Sequence, residues 1–110
     1  MNRLNAQLTQ QDGTAQIHLD GYLSSDSAGP LEEAFEQLGG TARVVLVFAE
    51  KAFVNSAGLA VLFDLIETAQ EAGKRVRVVQ PSKHFRKVFD IVGLSQDVDI
   101  FEELEPALAV

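Results

Sequence analysis

The sequence contains no cysteine among its 110 residues, so it forms neither disulfides nor a thiolate nucleophile. It has no apolar run close to the roughly 18 residues that cross a bilayer. Its beginning, MNRLNAQLTQQDG, lacks the apolar core of a secretion signal. Apolar residues make up 46% of the chain and charged residues 23%, an ordinary globular composition. We therefore expect one domain over residues 1–110, located in the cytoplasm and not inserted in a membrane.

Basic residues are also scarce. Nine lysines and arginines stand against sixteen acidic residues, which gives a formal net charge of −7. Nucleic-acid binding needs a concentrated basic face, so a direct nucleic-acid partner is not expected. The local basic cluster of Lys83, Arg86 and Lys87 is typical of a solvated helix face.

The sequence lacks the motifs of common catalytic and cofactor sites. His18 and His84 have no acidic or sulfur partners at metal-ligand spacing, so neither a metal nor another cofactor is expected. The glycines at 39–40 lack the lysine and the spacing of a phosphate loop. Ser56 has a glycine two residues later but a valine two residues earlier, whereas a nucleophile elbow needs glycine at both places. An enzyme is therefore not predicted.

Hydrophobic periodicity predicts alternating strands and helices. Strands are expected at 4–10, 15–23, 44–48, 75–79 and, as a short strand or extended link, 98–101; helices are expected at 30–38, 56–72, 82–92 and 102–110. This order predicts an α/β fold with a largely parallel sheet and about four helices. The turn signal QDG predicts that the first two strands form an antiparallel edge pair. The loop SSDSAGP, before the first helix, is expected to supply helix caps.

The second predicted helix has an unusually wide apolar side. Its main stripe contains Leu59, Leu62, Phe63, Ile66 and Ala69. Val61 and Leu65 widen the apolar arc to roughly 200°, about twice what a surface helix needs. The helix is therefore either deeply buried or exposes a docking surface. We expect Val61 to touch a partner and Leu65 to be at least half covered by the fold.

Ser56 stands where the second helix begins, and two roles are open for it. As an N-cap, its hydroxyl would accept a hydrogen bond from a free amide of the first turn. As a modification site, it would place a phosphate against those amides and the positive end of the helix dipole. The two roles do not exclude one another.

The segment FVNSAGLAVLFDLIETAQEAGKRVRVV resembles the STAS domain, the module of bacterial anti-sigma factor antagonists. The segments IHLDGYL, HFRKVFDIVGLSQDVDIF and EELEPAL resemble further parts of the family in the same order. The resemblance covers nearly the whole chain, and the NSAGL core is its most specific part.

The resemblance implies a STAS fold without catalysis of its own. It implies that the unphosphorylated protein binds an anti-sigma factor, itself a serine kinase, and thereby releases the sigma factor. Phosphorylation of Ser56 by that kinase would end the binding, and a serine phosphatase would restore it. The implied partner surface comprises Ser24, Asp26, Asn55, Ala57, Gly58, Leu59, Val61 and Leu62.

Two positions depart from the family pattern. Asn55 stands where aspartate commonly precedes the phosphorylated serine, and Ser24 stands where many members have an acid. Asp26 is a nearby acid that could replace the missing charge. A second interpretation is a STAS accessory subunit that docks on the ATPase of a lipid-transport ABC system, because such proteins have a similar Ala-Gly-Leu-Ala helix start.

Overall fold

The computed structural model describes residues 3–79, 87, 90 and 98–109. The chain begins with an antiparallel hairpin of strands β1 (Asn5–Gln11) and β2 (Thr14–Asp20). Asp12 and Gly13 form its turn with φ values of 53° and 77°. Two successive positive φ angles are typical of the tight turns that match strand twist. The predicted edge hairpin is confirmed.

The main sheet continues with three parallel strands, β4 (Arg43–Phe48), β6 (Arg75–Val79) and β7 (Asp99–Phe101). Its five strands lie in the order β1-β2-β4-β6-β7, and β1 is the antiparallel edge strand. The buried run VVLVF forms β4 at the centre of the sheet, where both faces are covered. The predicted α/β fold with a largely parallel sheet is confirmed.

The predicted strand over 15–23 is broken, and this part of the prediction is wrong. Gly21 has φ of 93°, so the chain leaves the main sheet there. It then forms β3 (Tyr22–Leu23), which pairs in parallel with β5 (Phe53–Val54) in a separate two-stranded sheet. The apolar alternation continues across the glycine, which hides the break in the sequence.

The described part of the chain contains the helices α1 (Gly29–Glu36), α2 (Ser56–Glu71) and α3 (Leu104–Leu108). The first two and the last predicted helices are therefore present. The end of α2 is also as predicted, since Gly73 has φ of 86° just beyond the helix. The predicted helix over 82–92 lies outside the described residues, except that Lys87 and Asp90 are helical and exposed.

The helices form layers on the two faces of the main sheet. Leu31 of α1 and Ile66 of α2 are fully buried on one face, against inward-facing residues of β2, β4 and β6. On the other face, Ala107 of α3 packs with Val45 and Val79. The five-residue helix α3 is too short to be stable alone, so its packing against the sheet holds it in place.

Arg77 of β6 fixes α3 further. Its Nη1 donates to the carbonyl of Ala107 at 2.9 Å and also to that of Ala109. The guanidinium lies 5.6 Å from the ring centroid of Phe101, which is a cation–π contact. A cation at the carboxyl end of a helix is favourable because the last carbonyls carry partial negative charge.

Candidate functional site

Asn55, rather than Ser56, caps helix α2. Asn55 has extended backbone angles, φ −91° and ψ 177°, and its Oδ1 accepts a hydrogen bond from the amide of Gly58 at 2.7 Å. Ser56 is the first residue inside the helix and is exposed. The interpretation of Ser56 as the N-cap is therefore wrong. An asparagine in extended conformation reaches the third helical amide, and this leaves the next residue to begin the helix.

Gly58 lets the start of α2 approach β3 closely. A Cβ atom at Gly58 would lie 2.3 Å from the carbonyl oxygen of Leu23 and 2.7 Å from its carbonyl carbon. Real Cβ atoms do not approach backbone atoms this closely, so only glycine fits. Gly58 is buried. The prediction that Gly58 belongs to the partner surface is therefore wrong. Gly58 lies on the buried side of α2 and allows the helix to pack against Leu23.

The ladder between β3 and β5 brings a second loop to the start of α2. The amide of Phe53 donates to the carbonyl of Gly21 at 2.9 Å, and the amide of Asn55 donates to that of Leu23 at 3.1 Å. Leu23 pairs with Val54, so Ser24 leaves the ladder beside Asn55. The sequence places these two residues thirty-one positions apart, and the parallel pairing makes them neighbours.

Hydrogen bonds between two serines order the loop that begins at Ser24. The Ser27 hydroxyl donates to the carbonyl of Tyr22 at 2.7 Å and accepts from the amide of Ser24 at 2.9 Å. The hydroxyls of Ser24 and Ser27 lie 3.0 Å apart. The expectation that this loop caps the first helix is wrong, because the N-cap residue Ala28 makes no side-chain cap. The loop is instead held against β3, with Asp26 exposed.

The predicted partner residues differ in their exposure. Ala57 is exposed like Ser56, and Leu59 and Val61 are half-buried. Leu62 is fully buried in the core, so its assignment to the partner surface is corrected. At 100° per residue, Leu62 points toward the sheet, while Val61 lies on the flank.

Phe53 is a surface residue that the residue pattern alone did not single out. Its side chain is 54% exposed, and no other large apolar side chain in the described part of the chain is exposed. It contacts Tyr22 edge to face, with ring centroids 5.6 Å apart and planes at 62°. The exposure of Phe53 could have been predicted from strand alternation, because Phe53 is adjacent to buried Val54 and its side chain points to the opposite face. Phe53, Ser56, Ala57 and the exposed Asp26 are hereafter called the α2-start surface.

The first turn of α2 contains no acidic residue. The helix N-terminus carries partial positive charge from its free amides, and nothing in that turn neutralises it. This end of the helix can therefore accept an anion on an exposed side chain such as Ser56. Among residues 3–79 and 98–109, no three histidine, cysteine or acidic side chains gather closely enough to hold a metal ion.

The same fold occurs in solved structures of proteins from several bacteria. TM1081 of Thermotoga maritima has 16% identity and a TM-score of 0.80 over 94% of this chain and 91% of its own. An anti-sigma factor antagonist of Mycobacterium paratuberculosis has 20% identity and a TM-score of 0.76, over 96% and 91% respectively. The phosphorylated form of SpoIIAA, a cell fate determinant of Bacillus, has 21% identity and a TM-score of 0.72, over 92% and 93%. At these identities the similarity establishes the fold.

The chain belongs to the STAS-domain family: the family model described as "Mlab, STAS domain" matches residues 6–105. A comparison with curated proteins finds no match. None of the helices in the described part of the chain is long and apolar enough to span a membrane.

Proposed function

We propose that this protein is an anti-sigma factor antagonist of the cytoplasm, without catalytic activity of its own. In its unphosphorylated form it binds an anti-sigma factor that is also a serine kinase, and the bound sigma factor is released. The kinase phosphorylates Ser56, which ends the binding, and a serine phosphatase restores the active form. The α2-start surface, with Ser24, Asn55, Leu59 and Val61 at its margins, makes the contact.

The position of Ser56 is the observation that carries this proposal. Ser56 is exposed, while the neighbouring residues perform the structural tasks: Asn55 caps the helix and Gly58 makes the close contact with Leu23. A phosphate on Ser56 would break neither of these contacts. The likeness to SpoIIAA, whose structure is known in a phosphorylated form, supports the same role for a serine here.

The electrostatics explain why phosphorylation would affect binding rather than folding. A phosphate adds about −1.5 to −2 charges at neutral pH. At a helix N-terminus this charge is favourable by about 0.3–1 kcal/mol. The same charge buried in an interface without a partner costs about 3–5 kcal/mol. Because about 1.4 kcal/mol is a tenfold change in affinity, binding would weaken by roughly a hundredfold to several thousandfold.

The test uses an anti-sigma factor kinase from the same organism, with ATP. We expect intact mass to increase by one phosphate, and peptide mapping to place it on Ser56. The Ser56→Ala variant should stay unmodified, whereas Ser25→Ala, which changes another exposed serine of the same region, should be phosphorylated like the wild type. Phosphorylation of Ser56→Ala at the wild-type level would refute the proposal.

A binding titration with the same kinase completes the test. Ser56→Asp should keep the wild-type circular dichroism spectrum, because an acid is favourable in the first turn. Its affinity should decrease by about tenfold or more, since one unpaired charge enters the interface. Wild-type affinity of this variant would show that Ser56 lies outside the interface.

A second candidate function is that of an accessory subunit docking on the ATPase of a lipid-transport ABC system. The name of the matching family model, "Mlab, STAS domain", and the neutral residues Ser24 and Asn55 beside Ser56 favour it. This function requires the α2-start surface for docking but no phosphorylation. Co-purification with a transporter ATPase, together with no phosphate on Ser56 after incubation with kinase, would select it over the first proposal.

A further inference from the structure

A groove runs between α1 and the C-terminal half of α2, and we call it the helix groove. Its apolar floor consists of Phe35, Leu38, Leu65, Ala69 and Ala72. Phe35 and Leu65 are half-buried, and Ala72 is exposed. Leu65 is one of the two residues that widen the apolar arc of α2, so the groove accounts for part of that width. We propose that the helix groove is a docking site for a basic amphipathic helix of a protein partner.

The size of the helix groove favours side chains over a free small molecule. Its volume is about 260 Å³, and it opens to solvent. Pockets for drug-sized ligands enclose about 300–1,000 Å³ and bury most of the ligand. A shallow apolar channel between two helices instead suits an amphipathic helix, which inserts a few apolar side chains at i, i+3 or i+4 spacing.

The charges beside the groove select a basic partner. Glu32 and Glu36 of α1 line one side, and they lie one helical turn apart so that both face the groove. On the α2 side, Asp64 and Glu71 are exposed next to the lining residue Thr68. A helix with an apolar stripe flanked by lysine or arginine would therefore meet carboxylates on both sides.

Lys74 also lines the groove, and its ammonium group is held in place by backbone carbonyls. Its ammonium donates to the carbonyl oxygens of Gly39 and Thr41, both at 2.6 Å. These bonds hold the side chain against the loop after α1. Its positive charge stays beside the groove, but it stands against the two carboxylates of Glu32 and Glu36, so the lining remains net negative.

The helix groove is separate from the α2-start surface. Leu65 follows Ser56 by nine residues, which is roughly 14 Å along a helix at about 1.5 Å per residue. The two surfaces therefore share no residue, although Val61 at the margin of the first lies one helical turn, about 6 Å, before Leu65. The inference does not rest on the proposed role of Ser56, and it stands or falls by its own test.

The test uses the full chain and a synthetic 18-residue helix with leucines on one face and lysines on the other. We expect amide chemical shifts of the 15N-labelled protein to move at Phe35, Leu65 and Ala72. Glu32→Gln/Glu36→Gln should weaken peptide binding about three- to tenfold, as expected for two solvent-exposed charge pairs. The control Glu33→Gln/Glu50→Gln changes the net charge equally at exposed positions outside the groove and should stay within about twofold.

Two further measurements separate the contribution of charge from that of the apolar floor. A peptide with the same leucines but glutamates in place of lysines should bind at least about tenfold more weakly, because it would meet carboxylates with carboxylates. Ala72→Trp should fill the groove and abolish the shifts at Leu65. The proposal is overturned by no binding of the lysine peptide, by equal binding of both peptides, or by equal losses in the two double variants. The proposal is also overturned if the shifts are confined to residues 53–61. It is overturned as well if the free protein sediments as a dimer whose interface is this groove.

Discussion

The two sides of the first two turns of α2 differ in what they contribute. On the inner side, Gly58 and Leu62 are buried and fix the helix against Leu23 and the core. On the outer side, Ser56 and Ala57 are exposed and make no contribution to the core. The start of α2 therefore combines buried residues that fix the helix with exposed residues that do not, and the sequence alone does not distinguish them. Changes on the inner side should lower the stability of the fold, and changes on the outer side should alter only what the protein binds.

The largest expected contrast is between the neighbours Leu62 and Val61. Leu62→Ala removes a fully buried side chain and should lower the free energy of unfolding by about 2–5 kcal/mol. Val61→Ala, at a half-buried position, should cost less than about 1 kcal/mol and should weaken binding of the anti-sigma factor partner. Urea unfolding of both variants measures the first effect, and a binding titration the second. Equal stability losses would mean that Val61 belongs to the core.

The next contrast is between two glycines. Gly58→Ala should cost about 3 kcal/mol, the upper range for overpacking, because the new Cβ meets the backbone of Leu23 and no side chain can move aside. Gly29→Ala is the matched control, since a Cβ there meets nothing within 4 Å. The control should stay within about 0.5 kcal/mol of the wild type. Thermal and urea unfolding compare the two, and a Gly58→Ala protein of wild-type stability would refute the close approach.

The smallest expected contrast is between the stability losses caused by substituting Asn55 and by substituting Ser56. Asn55→Ala removes the cap to the Gly58 amide and should cost about 0.5–2 kcal/mol. Ser56→Ala should change stability by less than about 0.5 kcal/mol, because the cap remains. The urea unfolding midpoints of the two variants, compared at the same m-value, measure this difference in stability. If Ser56→Ala proves the more damaging change, the hydroxyl rather than the amide side chain is the cap.

Local pattern was sufficient for most of the fold. The turn residues Asp12 and Gly13, the apolar run of β4 and the stop of α2 at Gly73 each have a nearly unambiguous local signal. The break at Gly21 could not be predicted because alternation of side chains continues through it. Strand β5 was missed, and β3 was predicted as the end of the preceding strand, because such short strands exist only through their mutual pairing.

The candidate site was less predictable than the fold. Ser56 was singled out by its position at the predicted helix start, and its switch role and partner surface come from the resemblance, but the roles of individual residues depend on geometry. Asn55 and Ser56 both prefer N-cap positions, and only the backbone angles of Asn55 decide between them. Leu62 was placed in the partner surface by the resemblance, although helix periodicity had put it on the main apolar stripe, where the structure buries it. Nothing in the sequence indicates the hydrogen-bonding role of Ser27, because the path of the loop alone brings its hydroxyl to the carbonyl of Tyr22.

Gly21 has a consequence for how such a protein can diverge. It separates the five-stranded sheet, which contains most of the core, from the two-stranded ladder that carries the α2-start surface. Residues of that surface can therefore change through evolution without altering the strands on which stability depends. Duplicated copies of such a gene could acquire different partners by substitutions confined to one small region. The constraint on them would be the glycine at position 58 and the bend at position 21, rather than the identity of the exposed residues.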